Sequence, residues 1–215
     1  MPISNQQRYQ TPFSAGYWRT AAEDFRRPRN LAFAALMIAA CAALARVPSI
    51  RINFTDLYAP RITWGFLARS VCSMVCGPVT GVVFGFAEDT ISYLADPAYP
   101  YFPGYALTTM LGNLIYALFL YRVRFGPVRV FLAKLGTNLL NVFLGSLWST
   151  ILSGTEKGYL YYMSASAVKN AITLLPQTVV LCFLFAALTP ILRRMGWLSK
   201  EMGWSPWGLE RKKET

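Results

Sequence analysis

The sequence contains no histidine, and acids are scarce, ten Asp and Glu against 21 Lys and Arg. The missing imidazole removes the commonest metal ligand and the commonest general base. No glycine-rich loop ends in Lys-Ser or Lys-Thr, so ATP hydrolysis is not expected of this chain. The acids are also badly placed for paired-carboxylate catalysis. Glu88 and Asp89 are adjacent, so on a helix they point about 100° apart and only one can face a given pocket. No second acid lies a turn away. Cysteine is rare too. Cys41, Cys72, Cys76 and Cys182 fall inside apolar runs and are expected to be buried small hydrophobes, not disulfides or metal ligands. Neither a metal nor a cofactor is expected. The first stretch, Met1 to Asn30, is polar and basic, so no signal peptide is expected before the apolar runs.

What is present is hydrophobic: 54% of the 215 residues, with only 14% charged. That exceeds what one soluble core of this size needs. The excess is clustered into runs near membrane-spanning length, separated by short polar or Pro/Gly-marked breaks. Spans are expected at Leu31–Val47, Ile62–Val75, Val79–Ala95, Gly104–Tyr121, Val128–Leu152 and Ser164–Leu192. The second is short and ends at Gly77-Pro78, so it is expected inside a bundle and not as a lone spanning helix. The expected organisation is a cytoplasmic tail over 1–30, a six-helix membrane domain over 31–192, and a basic cytoplasmic tail over 193–215.

Basic residues set the orientation. With six spans and the N-terminus inside, cytoplasmic segments hold Arg8, Arg19, Arg26, Arg27 and Arg29, then Arg122, Arg124 and Arg129. They also hold Arg193, Arg194, Lys200, Arg211, Lys212 and Lys213. The outer segments hold only Arg51, Arg61 and Lys157, which is a clear positive-inside bias. The net charge of +11 is thereby explained by topology and anionic lipid, without nucleic acid. In the N-terminal tail, Trp18, Ala21, Ala22 and Phe25 recur at helical spacing, with Glu23, Asp24, Arg26 and Arg27 elsewhere on the turn. A short amphipathic helix on the inner membrane surface is expected.

Ionisable residues in lipid spans are costly, about 2.5–3.5 kcal/mol each at the centre, and usually mark function. At helical rise Arg46 lies roughly 22 Å up its outward-running span, and Arg69 and Lys169 roughly 10 Å and 8 Å below the outer ends of theirs. Asp89 and Asn138 lie near the midplane, with Asn141 a turn higher. The pattern suggests a pocket open to the outside, with a floor of Asp89 and Asn138 and a rim of cations joined by Arg51 and Arg61. Trp64, Tyr93, Tyr105 and Trp148 are placed to stack on a flat ligand or to sit in the interfacial belt. The ligand suited to such a pocket is anionic at one end and hydrogen-bonding at the other. Two small-residue ridges stand out: Ala35, Ala39 and Ala43 on the first span, and Gly77, Gly81 and Gly85 on the third. Such ridges let helices approach closely in lipid, within the chain or between chains.

Four stretches resemble a known family: PFSAGYW…RPRNLAFAALMIAA running on to ARVPSIRI, GPVTGVVFGFAEDTISYLADP, YFPGYALTTMLGNLIYALFLYR, and NLLNVFLGSLWSTILSG with VKNAITLLPQTVVL. Together they make the chain, from about Pro12 to Arg194, similar to the folate-specific substrate-binding subunits of energy-coupling factor vitamin transporters. The resemblance implies an all-α polytopic bundle of six transmembrane helices with an N-terminal amphipathic interfacial helix. It implies a binding subunit, not an enzyme, that takes folate or a close pterin in the prokaryotic cell membrane, both termini cytoplasmic. ATP would be hydrolysed by two cytoplasmic partner subunits reached through a transmembrane coupling subunit, and the closed subunit would topple in the bilayer. Asp89 would hydrogen-bond the pterin's guanidine-like edge, and Arg46 and Lys169 would lie at the glutamate tail. Tyr105 and Thr108 would line the pocket, as the aromatic Tyr93 is placed to do from its own position, Asn138 would sit near its floor, and Ala35 and Ala39 would face the coupling subunit. The outer loops 49–61 and 96–103 would close over the vitamin. Two departures bear on the ligand: Ser164 to Ala167 stands where the family commonly has an arginine, and Arg69 stands where it tends to have an apolar residue. The rival readings are the same fold binding riboflavin, thiamine or a modified purine, and a six-span membrane scaffold that binds no small molecule. An intramembrane hydrolase lacks any Ser/His, Cys/His or paired-Asp arrangement.

Overall fold

A computed structural model describes residues 12, 14–47, 50–51, 61–62, 64–95, 101–153, 158–199 and 201–206. The described chain is almost wholly helical. Helix α1 spans Ala15–Phe25 and α2 Pro28–Ala45, each entered where the sequence offers a start signal. Ser14 caps α1 by accepting the Tyr17 amide, and Pro28 opens α2 where its missing N–H costs nothing. Strands β1 (Ile50–Arg51) and β2 (Arg61–Ile62) pair antiparallel between α2 and the next helix. Helix α3 covers Phe66–Ala95, α4 Pro103–Leu120, α5 Pro127–Leu140, α6 Ser146–Ser153 and α7 Tyr159–Arg194. A π-helical turn, Asn141–Gly145, joins α5 to α6 into one continuous span. Strand β3 (Arg124–Phe125) pairs in parallel with β4 (Gly203–Trp204).

Five of these helical stretches are long and apolar enough to cross a membrane, but α3 is two spans. Its backbone leaves helical geometry at Gly77, with φ 84° and ψ −177°. Arg69 and Glu88 lie 19 residues apart and meet at 2.9 Å. Along a continuous helix they would be about 28 Å apart, so the chain turns back on itself at Gly77-Pro78. A Cβ added at Gly81 would meet the Ser73 hydroxyl at 3.4 Å, so the two stretches also approach closely nearer the bend. α3 is thus a hairpin of a short arm, 66–76, and a long arm, 78–95, and the bundle has the six expected spans. The short arm is packed on all sides: Val71, Cys72, Ser73, Met74, Val75 and Cys76 are all buried. A helix without a polar or lipid face belongs in the interior, as its length suggested.

Only glycine suits the bend. A left-handed φ strains any side chain, and a Cβ there would stand 2.8 Å from the Tyr121 ring. Tyr121 in turn holds α1, its ring edge-on to Tyr17 at 5.6 Å. The N-terminal helix is present as α1, with one face buried against the bundle. Tyr17, Ala21 and Asp24 are buried, while Trp18 is 42% exposed and Ala22 is exposed. The reason is a partner that hydropathy does not register. Asp24 accepts hydrogen bonds from the Tyr121 hydroxyl and, at 2.8 Å, from Arg122. The buried carboxylate thereby ties α1 to the end of α4.

The C-terminal segment, expected as a tail from 193, folds back as far as Pro206. Arg193 donates to the Met202 carbonyl at 2.6 Å, and Arg29 stacks over Trp197 at 3.9 Å. All four cysteines are free, three of them buried.

Candidate functional site

The two adjacent carboxylates of the long arm are separated by the hairpin. Glu88 is 3% exposed and both its oxygens are engaged by Arg69, at 3.0 Å each, with Ser92 adding a bond at 3.3 Å. The geometry is bidentate, the strongest form of a carboxylate–guanidinium contact. Asp89 points elsewhere. Among the described residues its carboxylate accepts one hydrogen bond, from Thr109 at 3.3 Å, and pairs with no cation. It is half-buried, with acceptor capacity to spare. Arg69 was expected among the rim cations. It is instead paired with Glu88 inside the hairpin.

A polar chain holds Asp89 in place. Thr109 and Asn113 stand one turn apart on α4, and Asn113 donates to the Thr109 carbonyl at 3.0 Å while accepting from Ser73 at 3.3 Å. The chain links short arm, α4 and long arm through Ser73, Asn113, Thr109 and Asp89. Close packing makes the link: a Cβ on Gly85 would lie 2.7 Å from Asn113 Nδ2 and 2.9 Å from the Met110 backbone. The glycine ridge is therefore an internal seam against α4. Thr109 and Asn113 were not singled out by sequence, although their four-residue spacing within an apolar span was a legible signal.

Further out, Phe102, Tyr105 and Trp148 gather around Gly104, with Phe102 and Trp148 centroids 5.5 Å apart and Phe102 and Tyr105 6.2 Å apart. The Trp148 indole donates to Thr108 at 2.9 Å, and Thr108 donates to the Gly104 carbonyl at 3.1 Å. Thr108 thus orients Trp148, and Tyr105 meets Ser149 at 3.4 Å. Tyr93 belongs to a second aromatic group, 5.2 Å from Tyr101. Trp64 packs at the margin of the main apolar core. On the other side, Asn138 donates to the Asn170 carbonyl at 3.1 Å, and Asn170 donates to Ser166. That bond ties α5 to α7 beside Lys169, which is partly buried. Asn141, the first residue of the π-turn, is exposed and donates to the Thr137 carbonyl at 3.3 Å.

Arg46 caps the C-terminal end of α2 and is exposed. Among the described residues it makes no ion pair, and nothing brings it to Asp89 or Lys169. The expected closing loops, 49–61 and 96–103, lie largely outside the described residues. Ala35, Ala39 and Ala43 are exposed, whereas their neighbour Ala34 is buried, so the alanine ridge faces away from the bundle. Sequence reasoning passed over one further group, Lys134 of α5. It is 6% exposed, and its ammonium sits 4.6 Å over the Phe66 ring.

No family model matches this sequence. The chain is 31% identical over 123 residues to the folate transporter FolT of Clostridium novyi (strain NT), an alignment covering 56% of this chain and 70% of that protein. Its fold is similar to that in a crystal structure of FolT bound with folic acid, with a TM-score of 0.63 at 24% identity. That match covers 73% of this chain and 91% of the other. The helical hairpin, the six apolar spans and this relationship converge: the chain is a multi-pass membrane protein belonging to the family of the folate transporter FolT.

Proposed function

We propose that this chain is the membrane-embedded binding subunit that captures folate, or a close pterin, for an ATP-driven importer of the energy-coupling factor type. The observation that carries the ligand reading is the separation of Glu88 from Asp89. One carboxylate is consumed by Arg69, and the other stands half-buried with unused acceptor positions. A lone carboxylate at mid-bilayer depth is costly unless something donates to it, and the guanidine-like edge of a pterin offers two donors side by side. The relative's folate transport and the folic acid in the similar structure support the same ligand.

The coupling reading is supported by the outward-facing ridge of Ala35 and Ala39. A smooth ridge suits close approach by a helix of the coupling subunit, which would relay work from two cytoplasmic ATPases. The positive-inside bias of the basic residues supports cytoplasmic termini, and the family resemblance supports the prokaryotic cell membrane. Calorimetric titration of the purified protein with folate, riboflavin, thiamine and a modified purine tests the reading. Saturable binding of folate in preference to the others is expected. Preference for another vitamin would keep the fold and replace the ligand, and no binding at all would favour a scaffold.

A further inference from the structure

Past α7 the chain has no apolar run of its own, yet it is built into the end of the bundle where α2 begins and α7 stops. Three successive amides are engaged by neighbours. Gly203 donates to the Val123 carbonyl at 3.0 Å, Trp204 to the Thr189 hydroxyl at 3.1 Å, and Ser205 to the Phe125 carbonyl at 2.9 Å. From α7, Arg193 donates to the Met202 carbonyl through Nε at 3.1 Å and Nη2 at 2.6 Å. Leu198 and Met202 are buried in the main apolar core. Gly203 has φ 95°, and a Cβ there would stand 2.7 Å from Thr189, so the crossing needs glycine. A surface tail would leave these amides to water. This segment is a strap across α7 and the α4–α5 connection.

The strap also reaches α2. Trp197 lies between two side chains of that helix. The Arg29 guanidinium is 3.9 Å over its ring, and Phe33, one turn further along α2, is tilted against it at 4.7 Å between centroids. Arg29 also donates to the Met195 carbonyl at 2.8 Å. Elsewhere α2 packs along α3 and meets α1. Trp197 is thus a joint that ties the start of α2 to the α7 side of the bundle. The same helix carries the outward-facing Ala35 and Ala39. A helix gripped along such a ridge swings alone if its end is loose, and carries the bundle with it if its end is fixed.

We propose that Trp197 is a positioning residue for transport: clasped by Arg29 and Phe33, it fixes the start of α2 so that a coupling subunit gripping the alanine ridge moves the bundle as one body. The proposal rests on the coupling reading and deepens it. The clasping residues belong to α2 and not to the candidate vitamin site, so vitamin binding should not depend on Trp197.

In cells carrying the whole importer, folate uptake is measured per subunit in the membrane, and folate binding is titrated on the purified subunit. Loss of an aromatic and a cation–π contact predicts that Trp197→Ala lowers the maximal uptake rate roughly 5- to 50-fold, with folate affinity within about twofold of wild type. Trp197→Phe keeps a ring under Arg29 and should recover most of the rate. Gly203→Ala, which loosens the strap at its opposite end, should reproduce the Trp197→Ala result. Arg29→Ala, at an exposed position that does not endanger folding, should show a milder form of it. Uptake by Trp197→Ala within about twofold of wild type, or folate affinity falling in step with uptake, would overturn the proposal. So would Trp197→Phe performing no better than Trp197→Ala. Ala39→Trp in the same assay separates the two readings. If it leaves uptake intact, the coupling reading itself fails; if it abolishes uptake while Trp197→Ala does not reduce it, only the positioning role is lost.

Discussion

At the scale of single residues, the hairpin assigns opposite duties to neighbours that look alike. Glu88 and Asp89 differ by one methylene and one position, yet one is locked to Arg69 while the other is left open. The lock matters because removing one partner of a buried ion pair costs about 3–5 kcal/mol, more than the net worth of the intact pair. Asp89 is free of that constraint, so changing it should disturb the ligand and not the fold. Asp89→Asn keeps an acceptor for Thr109 but loses the charge. It should weaken folate and a tail-less pterin alike, by roughly 10- to 150-fold, with unchanged thermal unfolding of the ligand-free protein. Titration of both ligands checks this. Loss confined to folate would mean that Asp89 does not read the ring.

At the scale of elements, the decisive feature is the bend at Gly77. Two arms with adjacent polar residues are brought face to face only because one residue adopts φ 84° and leaves room for the Tyr121 ring. Gly77→Ala should destabilise the protein by about 1–3 kcal/mol from backbone strain alone, and more if Tyr121 cannot move. Gly81→Ala is a fitting control, since its Cβ would make only ordinary contact with Ser73 at 3.4 Å. A lowered unfolding midpoint in the first and near-wild-type behaviour in the second is the expected result. Equal midpoints would show that the bend tolerates a side chain. The same bend carries the docking of α1. Tyr121 lies between the hairpin turn below its ring and Asp24 at its hydroxyl, so backbone geometry and a buried ion cluster meet in one side chain.

At the scale of the whole molecule, exposed features of the bundle determine what it meets. Ala39 faces outward, so Ala39→Trp should leave folate binding to the isolated subunit intact while vitamin uptake by cells collapses. Binding lost in step with uptake would return the ridge to internal packing and remove the support for a coupling partner. Orientation is tested independently. In a background without native cysteines, Gly158→Cys should react with an impermeant thiol reagent added to intact cells, and Glu201→Cys should not. Both positions are exposed, so access depends on the side of the membrane. The reverse pattern would invert the topology and the direction from which the vitamin enters.

The spans, the break at Gly77-Pro78 and the burial of the short second helix were legible in the sequence. Each depends on hydropathy and backbone preference summed along the chain, and such local sums need no knowledge of what lies opposite. The family relationship was legible for the same reason, through motifs carried within single spans. Pairings across the fold were not. That Arg69 is cancelled by Glu88, that Asp24 of α1 meets Arg122, and that Lys134 lies over the Phe66 ring all follow from contacts between distant segments. Charges in a low-dielectric interior interact strongly with whatever stands a few ångströms away. Their meaning was therefore decided by the tertiary structure alone, because only it determines which of them meet.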